Sequence, residues 1–330
     1  IKIPSSVTDL KEGWCSGTPK LNQVRMSPSN PRYRFIDESM IIGKATNESN
    51  NYENLSFCVR NINKVTIPTF IKRIDSFAFA QSFIVHVSIP NSIEFIGKRA
   101  FFNCKQLRYI EISKESKLQK IEESAFEGTS IERITIPNEV KIIGKCAFSY
   151  CVQLQYVENS EESKLQTIEE SAFGSSAINS ITIPVSTTDL KEGWYFVTPQ
   201  LIQVRLNQSN PRYRFIEERM IIGKPSNEPS ELNKSDNYEN LVFCYKNIST
   251  IKIPNYIKRI DSFVFYQSSI ADITIPGEVR IIGKNSFSFC RQLRRIEISK
   301  ESKLQTIGES AFNYSGIEYI RIPSSVTNIG

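Results

Sequence analysis

A unit of about two dozen residues recurs from one end of this chain to the other, and that recurrence limits the possible folds more than any other feature. From Ile131 the segment IERITIPNEVKIIGKCAFSYC passes at Leu154 into LQYVENSEESKLQTIEESAF, and at Ile178 into INSITIPVSTTDLKEGW. Each unit places apolar residues at its first, fourth and sixth positions. Laid along the chain, the frame puts its sixth positions at Ile3, Met26, Ile67, Ile89, Ile112, Ile136, Asn159, Ile183, Leu206, Ile253, Ile275, Ile298 and Ile322. So short a unit cannot bury its apolar face alone, so successive units must stack into a solenoid. The fourth and sixth residues alternate with polar ones, as in a strand with one buried face. Proline follows in many units, as at Pro68, Pro90, Pro137 and Pro276, and ends the strand. A second apolar patch comes next, such as IEFIG at Ile93 or VKIIG at Val140, and then an Ala-Phe pair such as Ala100-Phe101 or Ala147-Phe148. The phenylalanine is expected to plug the space between two walls of the coil. Burying one such side chain contributes about 1.5 to 3 kcal/mol, which accounts for its recurrence through folding alone.

A longer repeat lies over the short one. TDLKEGW at Thr8 returns at Thr188, and MIIGK at Met40 returns at Met220, an offset of 180 residues; ISKESKLQ at Ile112 returns at Ile298, an offset of 186. The extra residues fall within PSNEPSELNKSD, after Lys224, where an exposed loop tolerates insertion at little entropic cost. The chain therefore reads as a single solenoid fragment, residues 1–330, built from two super-repeats, 1–180 and a truncated 181–330. Because it stops in mid-unit, it is expected to be a piece of a longer array.

Charge and motifs narrow the function. Forty-one basic residues against 35 acidic ones give +6, spread too thinly and too evenly to imply nucleic acid. No segment approaches the roughly 18 consecutive apolar residues of a membrane span. His86 is the single histidine, and the frame puts it at an outward strand position, so no Ser-His-Asp or Cys-His arrangement is supported. Glycine-rich phosphate loops and HExxH are absent, and no cofactor is implied. Of the seven cysteines, Cys104, Cys151 and Cys290 share one slot of the repeat, and Cys58 and Cys244 are duplication mates. Such cysteines read as small buried residues in a column. Cys146 and Cys151 form a lone C-x4-C without a second pair, so no metal site is expected.

The full pattern I-x-I-P-x-x-[VI]-x-x-I-G-x-x-A-F-x-x-C-x-x-L-x-x-I resembles the BspA-type leucine-rich repeat of bacterial and protist surface proteins. ITIPNEVKIIGKCAFSYCVQLQYV at Ile134 carries it nearly whole, as does VSIPNSIEFIGKRAFFNCKQLRYI at Val87. SNPRYRFIDESMIIGK at Ser29 and SNPRYRFIEERMIIGK at Ser209 are similar to that family's hairpin insert. Trp14 and Trp194, near the Ala-Phe slot, and Asn159, at a sixth position, depart from the pattern. The resemblance implies a β-rich leucine-rich-repeat solenoid. Its concave face would carry short strands and its convex side irregular, short β or 3-10 segments. It also implies a place at the cell surface or outside the cell, and a role in adhesion.

The third and fifth positions of each strand face outward and form one continuous surface. Its richest cluster is Tyr109, Arg133 and Tyr156 flanked by Glu111 and Glu158; Arg295, Tyr319 and Arg321 form a second. Tyr and Arg are over-represented at interface hot spots, although both also suit exposed strands. The inserts, residues 30–61 and 210–247, are expected to hold short strands that pack on one another beside the coil. Asn-x-Ser/Thr triplets occur at Asn47, Asn54, Asn207, Asn233, Asn247 and Asn313. In an exported eukaryotic protein these are glycosylation candidates. Three functions remain open: recognition of a host or extracellular-matrix protein, a structural spacer or self-associating coat, and a solenoid polysaccharide hydrolase or lyase. The last would need acidic and basic groups clustered on one wall.

Overall fold

The alternation of apolar and polar residues in each unit builds the first wall. In a computed structural model describing residues 1–46, 50–225 and 237–330, short parallel strands follow one another coil by coil along this wall. They include Lys64–Thr66, His86–Ile89, Tyr109–Ile112, Arg133–Thr135, Tyr156–Glu158, Ser180–Ile183 and Gln203–Leu206. The pairing keeps equivalent positions side by side, so Val87 lies opposite Ile110, Ile134 opposite Val157, and Ile181 opposite Val204. Asn159, where an apolar residue is expected, donates its amide to the Thr182 carbonyl of the next coil at 2.9 Å.

The second apolar patch builds an opposing wall from strands of two residues, such as Phe95–Ile96, Lys120–Ile121, Ile142–Ile143 and Thr167–Ile168. Of the irregular, short β or 3-10 structure expected on this side, the short β form is what occurs, stacked into a nine-stranded and a seven-stranded sheet. Among the described residues no helical segment occurs. The glycine ending the patch lets the coils close up: a Cβ on Gly97 or Gly144 would lie within 2.9 Å of the backbone of the preceding coil.

The Ala-Phe corner is a third side. Arg99 and Asn103 both adopt the left-handed conformation, with φ of 54° and 53°. The amides of Arg99, Phe101 and Asn103 donate to Glu123, Ala125 and Glu127 of the next coil at 2.8–2.9 Å, which helps hold this costly backbone. Inside the corner Phe79, Phe101, Phe126, Phe148 and Phe173 stack at centroid distances of 4.7–5.5 Å with planes within 7°. Trp194 occupies the next alanine slot and Tyr195 the phenylalanine slot, both buried; Trp194 meets Phe173 edge-on. The cysteine slot closes each corner. Cys104, Cys151 and Cys290 donate to the carbonyls of Phe79, Phe126 and Phe265 at 2.9–3.1 Å, and burial pushes the Cys151 thiol up to about 12.

The inserts join the second wall rather than lying beside the coil. Tyr33–Ile36 pairs antiparallel with Met40–Gly43, which pairs antiparallel with Asn54–Cys58, and the last runs parallel to Arg73–Ile74. The second insert repeats this with Tyr213–Ile216, Met220–Gly223, Asn240–Cys244 and Arg259–Ile260. One asparagine fixes each hairpin to its coil. Asn30 donates to the carbonyls of Pro4 and Val7 and accepts from the amides of Arg32 and Tyr33; Asn210 makes the same bonds with Pro184, Thr187, Arg212 and Tyr213. The tyrosine hydroxyl then accepts from Leu10 or Leu190 at 2.9 and 2.8 Å. A Cβ on Gly43 would lie 2.8 Å from the Tyr33 ring, so the glycine of MIIGK is required by close approach.

Candidate functional site

The outward row of the first wall is the candidate surface. Ladder pairing puts Arg133 beside Tyr156, Thr135 beside Glu158, and Tyr156 beside Ser180. The Arg133 guanidinium lies 5.4 Å from the Tyr156 ring centre, and Tyr156 is still 40 % exposed. A cation held on an aromatic face in this way is already ordered, so it presents a positive charge at reduced entropic cost. Tyr109, 55 % exposed, and Glu111 belong to the neighbouring three-stranded sheet. There Tyr109 lies opposite His86 and Glu111 opposite Ser88, with His86 Nε2 3.2 Å from Glu111 Oε1. Strands Tyr109–Ile112 and Arg133–Thr135 are adjacent but not ladder-paired, so the five residues span a break in the sheet.

The second cluster is more self-contained. Arg295 bridges to Tyr319 along the row, and Arg321 is exposed nearby. The Arg295 guanidinium is ion-paired with Glu297 of its own strand, which leaves less of its charge for a ligand. Thr250, Asp272, Thr274, Arg295 and Glu297 line a shallow recess of about 240 Å³.

Between the two clusters the row is interrupted by the second insert, which sequence reasoning did not place there. The hairpin residues Glu217 and Arg219 lie with Thr250 and Lys252 around a recess of about 480 Å³. The acidic pair at each hairpin turn, Asp37-Glu38 and Glu217-Glu218, adopts φ of 48–52° at all four residues. The available signal was FIDES and FIEER, acidic residues at a turn between two apolar stretches.

An acidic and basic cluster does exist, on the opposite wall. Glu192, in the coil before the second insert, is ion-paired with Arg259, in the coil after it, and accepts from the Ser262 amide at 3.2 Å, while Arg259 Nε lies 2.7 Å from Asp261. Burial, with help from Glu192, pushes the Asp261 carboxyl up to about 7 against the pull of Arg259. The cluster borders a cleft of about 530 Å³ and joins two coils 67 residues apart in sequence. Among the described residues there is no group of three or more His, Cys, Asp or Glu side chains placed to hold a metal.

Of the glycosylation candidates, Asn207, Asn247 and Asn313 are exposed, and Asn54 is half-buried in a paired strand. Asn47 and Asn233 lie outside the described residues.

The signature described as the BspA type leucine rich repeat region matches in 6 copies, over residues 72–202 and 232–330. The chain belongs to this BspA-type leucine-rich-repeat family. Its fold is similar to that of the pneumococcal vaccine antigen PcpA, with a TM-score of 0.76 and 22% identity over 91% of this chain and 78% of that one. A leucine rich cell surface protein of Faecalibacterium prausnitzii gives 0.67 and 23% identity over 91% and 84%. A leucine-rich repeat protein of Bacteroides ovatus gives 0.50 and 18% over 90% and 88%. At these identities the likeness is one of fold. No curated protein matches the sequence. The departures at Trp14, Trp194 and Asn159 leave the BspA-type coil intact.

Proposed function

We propose that this BspA-type array is a non-enzymatic recognition protein of the cell surface, and that it binds a host or matrix protein through the outward row of its first wall. The supporting observation is the ordered Arg133–Tyr156 pair, exposed and flanked by Glu158, on a row of strands that extends coil after coil. A rigid row of this kind sums several weak patches along its length. The name of the Faecalibacterium relative, a cell surface protein, agrees with the location. The Glu192–Arg259–Asp261 cluster gives the hydrolase reading its one foothold. We assign it to holding the coils together across the insert, because both carboxylates are already committed to the same guanidinium.

The test is binding of the purified protein to immobilised matrix and epithelial surface proteins, with Arg133→Ala in parallel. Saturable binding weakened about tenfold in a folded variant supports the reading. Binding to none of them, together with self-association on sedimentation, replaces it with the coat or spacer. Polysaccharide turnover that is lost in Asp261→Asn replaces it with the enzyme.

A further inference from the structure

We propose that a cleft beside the first insert is a binding site for a carboxylated sugar, separate from the first wall and independent of its reading. Arg34, Ile42, Asn50, Asn51, Tyr52, Glu53 and Phe70 line an open cleft of about 430 Å³. Phe70 is 53 % exposed and takes no part in the core clusters. Its slot, two residues after the strand-ending proline, holds Ser92, Glu139, Ser186 and Glu278 in other coils. An aromatic stands there in the coil that follows each insert, Phe70 after the first and Tyr256, 51 % exposed, after the second. Packing does not call for it.

The charge of the cleft points to the ligand. The Arg34 guanidinium lies 4.2 Å from the Tyr52 ring centre and the Lys44 amine 5.3 Å from it. The duplicated pair keeps this geometry, with Arg214 and Lys224 at 4.2 and 5.2 Å from Tyr238. Neither Arg34 nor Lys44 is ion-paired with a described acidic side chain, and the nearby carboxylate of Glu53 is bound to Lys72 at 2.8 Å. Arg34 therefore lines the cleft with no described carboxylate paired to it, Lys44 stands against the same tyrosine ring, and the one acidic side chain of the lining, Glu53, is already matched by Lys72. A pyranose has an apolar C–H face that stacks on an exposed ring such as Phe70, and a rim of hydroxyls that side-chain amides such as that of Asn50 can bond. A carboxylate on that ring supplies the planar anion that a guanidinium binds through two hydrogen bonds. A hexuronate and a sialic acid share these features.

The experiment is titration of the whole chain, followed by calorimetry and ligand-observed NMR, with three probes: a hyaluronan tetrasaccharide for the uronate, sialyllactose for the sialic acid, and lactose as the neutral control. Binding of either acidic probe, with lactose at least about tenfold weaker, is expected. Arg34→Ala and Phe70→Ala should each weaken it by a similar factor, and Phe70→Trp should retain it. Phe70 is exposed, so its variants should melt with the wild type, and a lowered melting temperature would direct the reading to Phe70→Trp and Arg34→Lys instead. No binding at millimolar probe, equal binding of lactose, or unchanged affinity in folded Arg34→Ala and Phe70→Ala each overturns the proposal. Displacement of the sugar by free phosphotyrosine at equal concentration would also overturn it, in favour of an aromatic anion.

Discussion

The two super-repeats share one scaffold and differ in how they finish it. Arg60 and Lys246 occupy the same place. Arg60 lies within 3.3 Å of the carbonyls of Phe77 and Ala78, and Lys246 donates to those of Phe263 and Val264 at 2.9 and 3.0 Å. Asp75 and Asp261 are likewise equivalent, but Asp75 accepts from Ser56 at 2.7 Å, where the second super-repeat has Val242. The corner differs most openly. Ser16, Ala80, Asn103 and Gly128 in the first super-repeat become Phe196, Tyr266, Phe289 and Tyr314 in the second. These aromatics form a row with centroid spacings of 4.8–5.5 Å. Duplication fixed the buried ladders, which any coil needs, and left edges and junctions free to change. That difference shows which residues belong to the repeat and which to a particular place in it.

The largest effect should be the same in both halves. Phe101→Ala and Phe287→Ala remove equivalent rings stacked on neighbours at 4.7–5.5 Å, and each should cost about 3 to 5 kcal/mol in denaturant unfolding. Clearly unequal costs would break the claim of a shared core. Next come Asn30→Ala and Asn210→Ala. Each strands backbone groups at the base of an insert and should cost about 1 to 3 kcal/mol, read from the same curves.

The junction should separate the halves by pH. Asp261 has its folded pKa raised from 3.8 to about 7, so the folded chain binds more protons than the unfolded one between those values. Its penalty is absent below the unfolded value, grows as pH rises toward 7 and is complete above it. Asp261→Asn should therefore gain on the wild type from pH 4 to pH 7 and then level off. Lys246 has the opposite sign. Burial lowers its folded pKa from 10.5 to about 7, so the unfolded chain binds the extra proton, and the cost of burying the charge is relieved as pH rises from 7 toward 10.5. Lys246→Arg, which stays charged, should lose ground to the wild type over that range. Melting temperatures across the two windows check both, and parallel curves for wild type and variants would refute them.

The sequence made most of the coil legible. Period-two alternation ended by proline located the first wall, and the recurring Phe and Cys columns located the corner, because each depends on residues within one unit. Longer reach hid the rest. Nothing local in NLSFC says that it will pair with Arg73–Ile74 and so carry the insert into the second wall. The break between Tyr109–Ile112 and Arg133–Thr135 is a matter of strand approach, invisible in an unbroken frame. The Glu192–Arg259 pair joins residues 67 apart, across an insert whose path the sequence did not reveal. At the candidate surface, outward residues were predictable one by one, while the Arg133–Tyr156 stack and the Arg295–Glu297 pair, which decide how much charge is presented, required the register and the side-chain positions.

The most direct test of recognition through the first wall compares two folded variants against one bound surface or matrix protein. Tyr109→Ala/Arg133→Ala/Tyr156→Ala changes the row of strands, and Tyr266→Ala/Phe289→Asn returns the corner of the second super-repeat to the residues of the first. The account predicts that binding is lost in the triple variant and kept in the corner variant. Binding kept by the triple variant and lost from the corner one would contradict it and move recognition to the aromatic row.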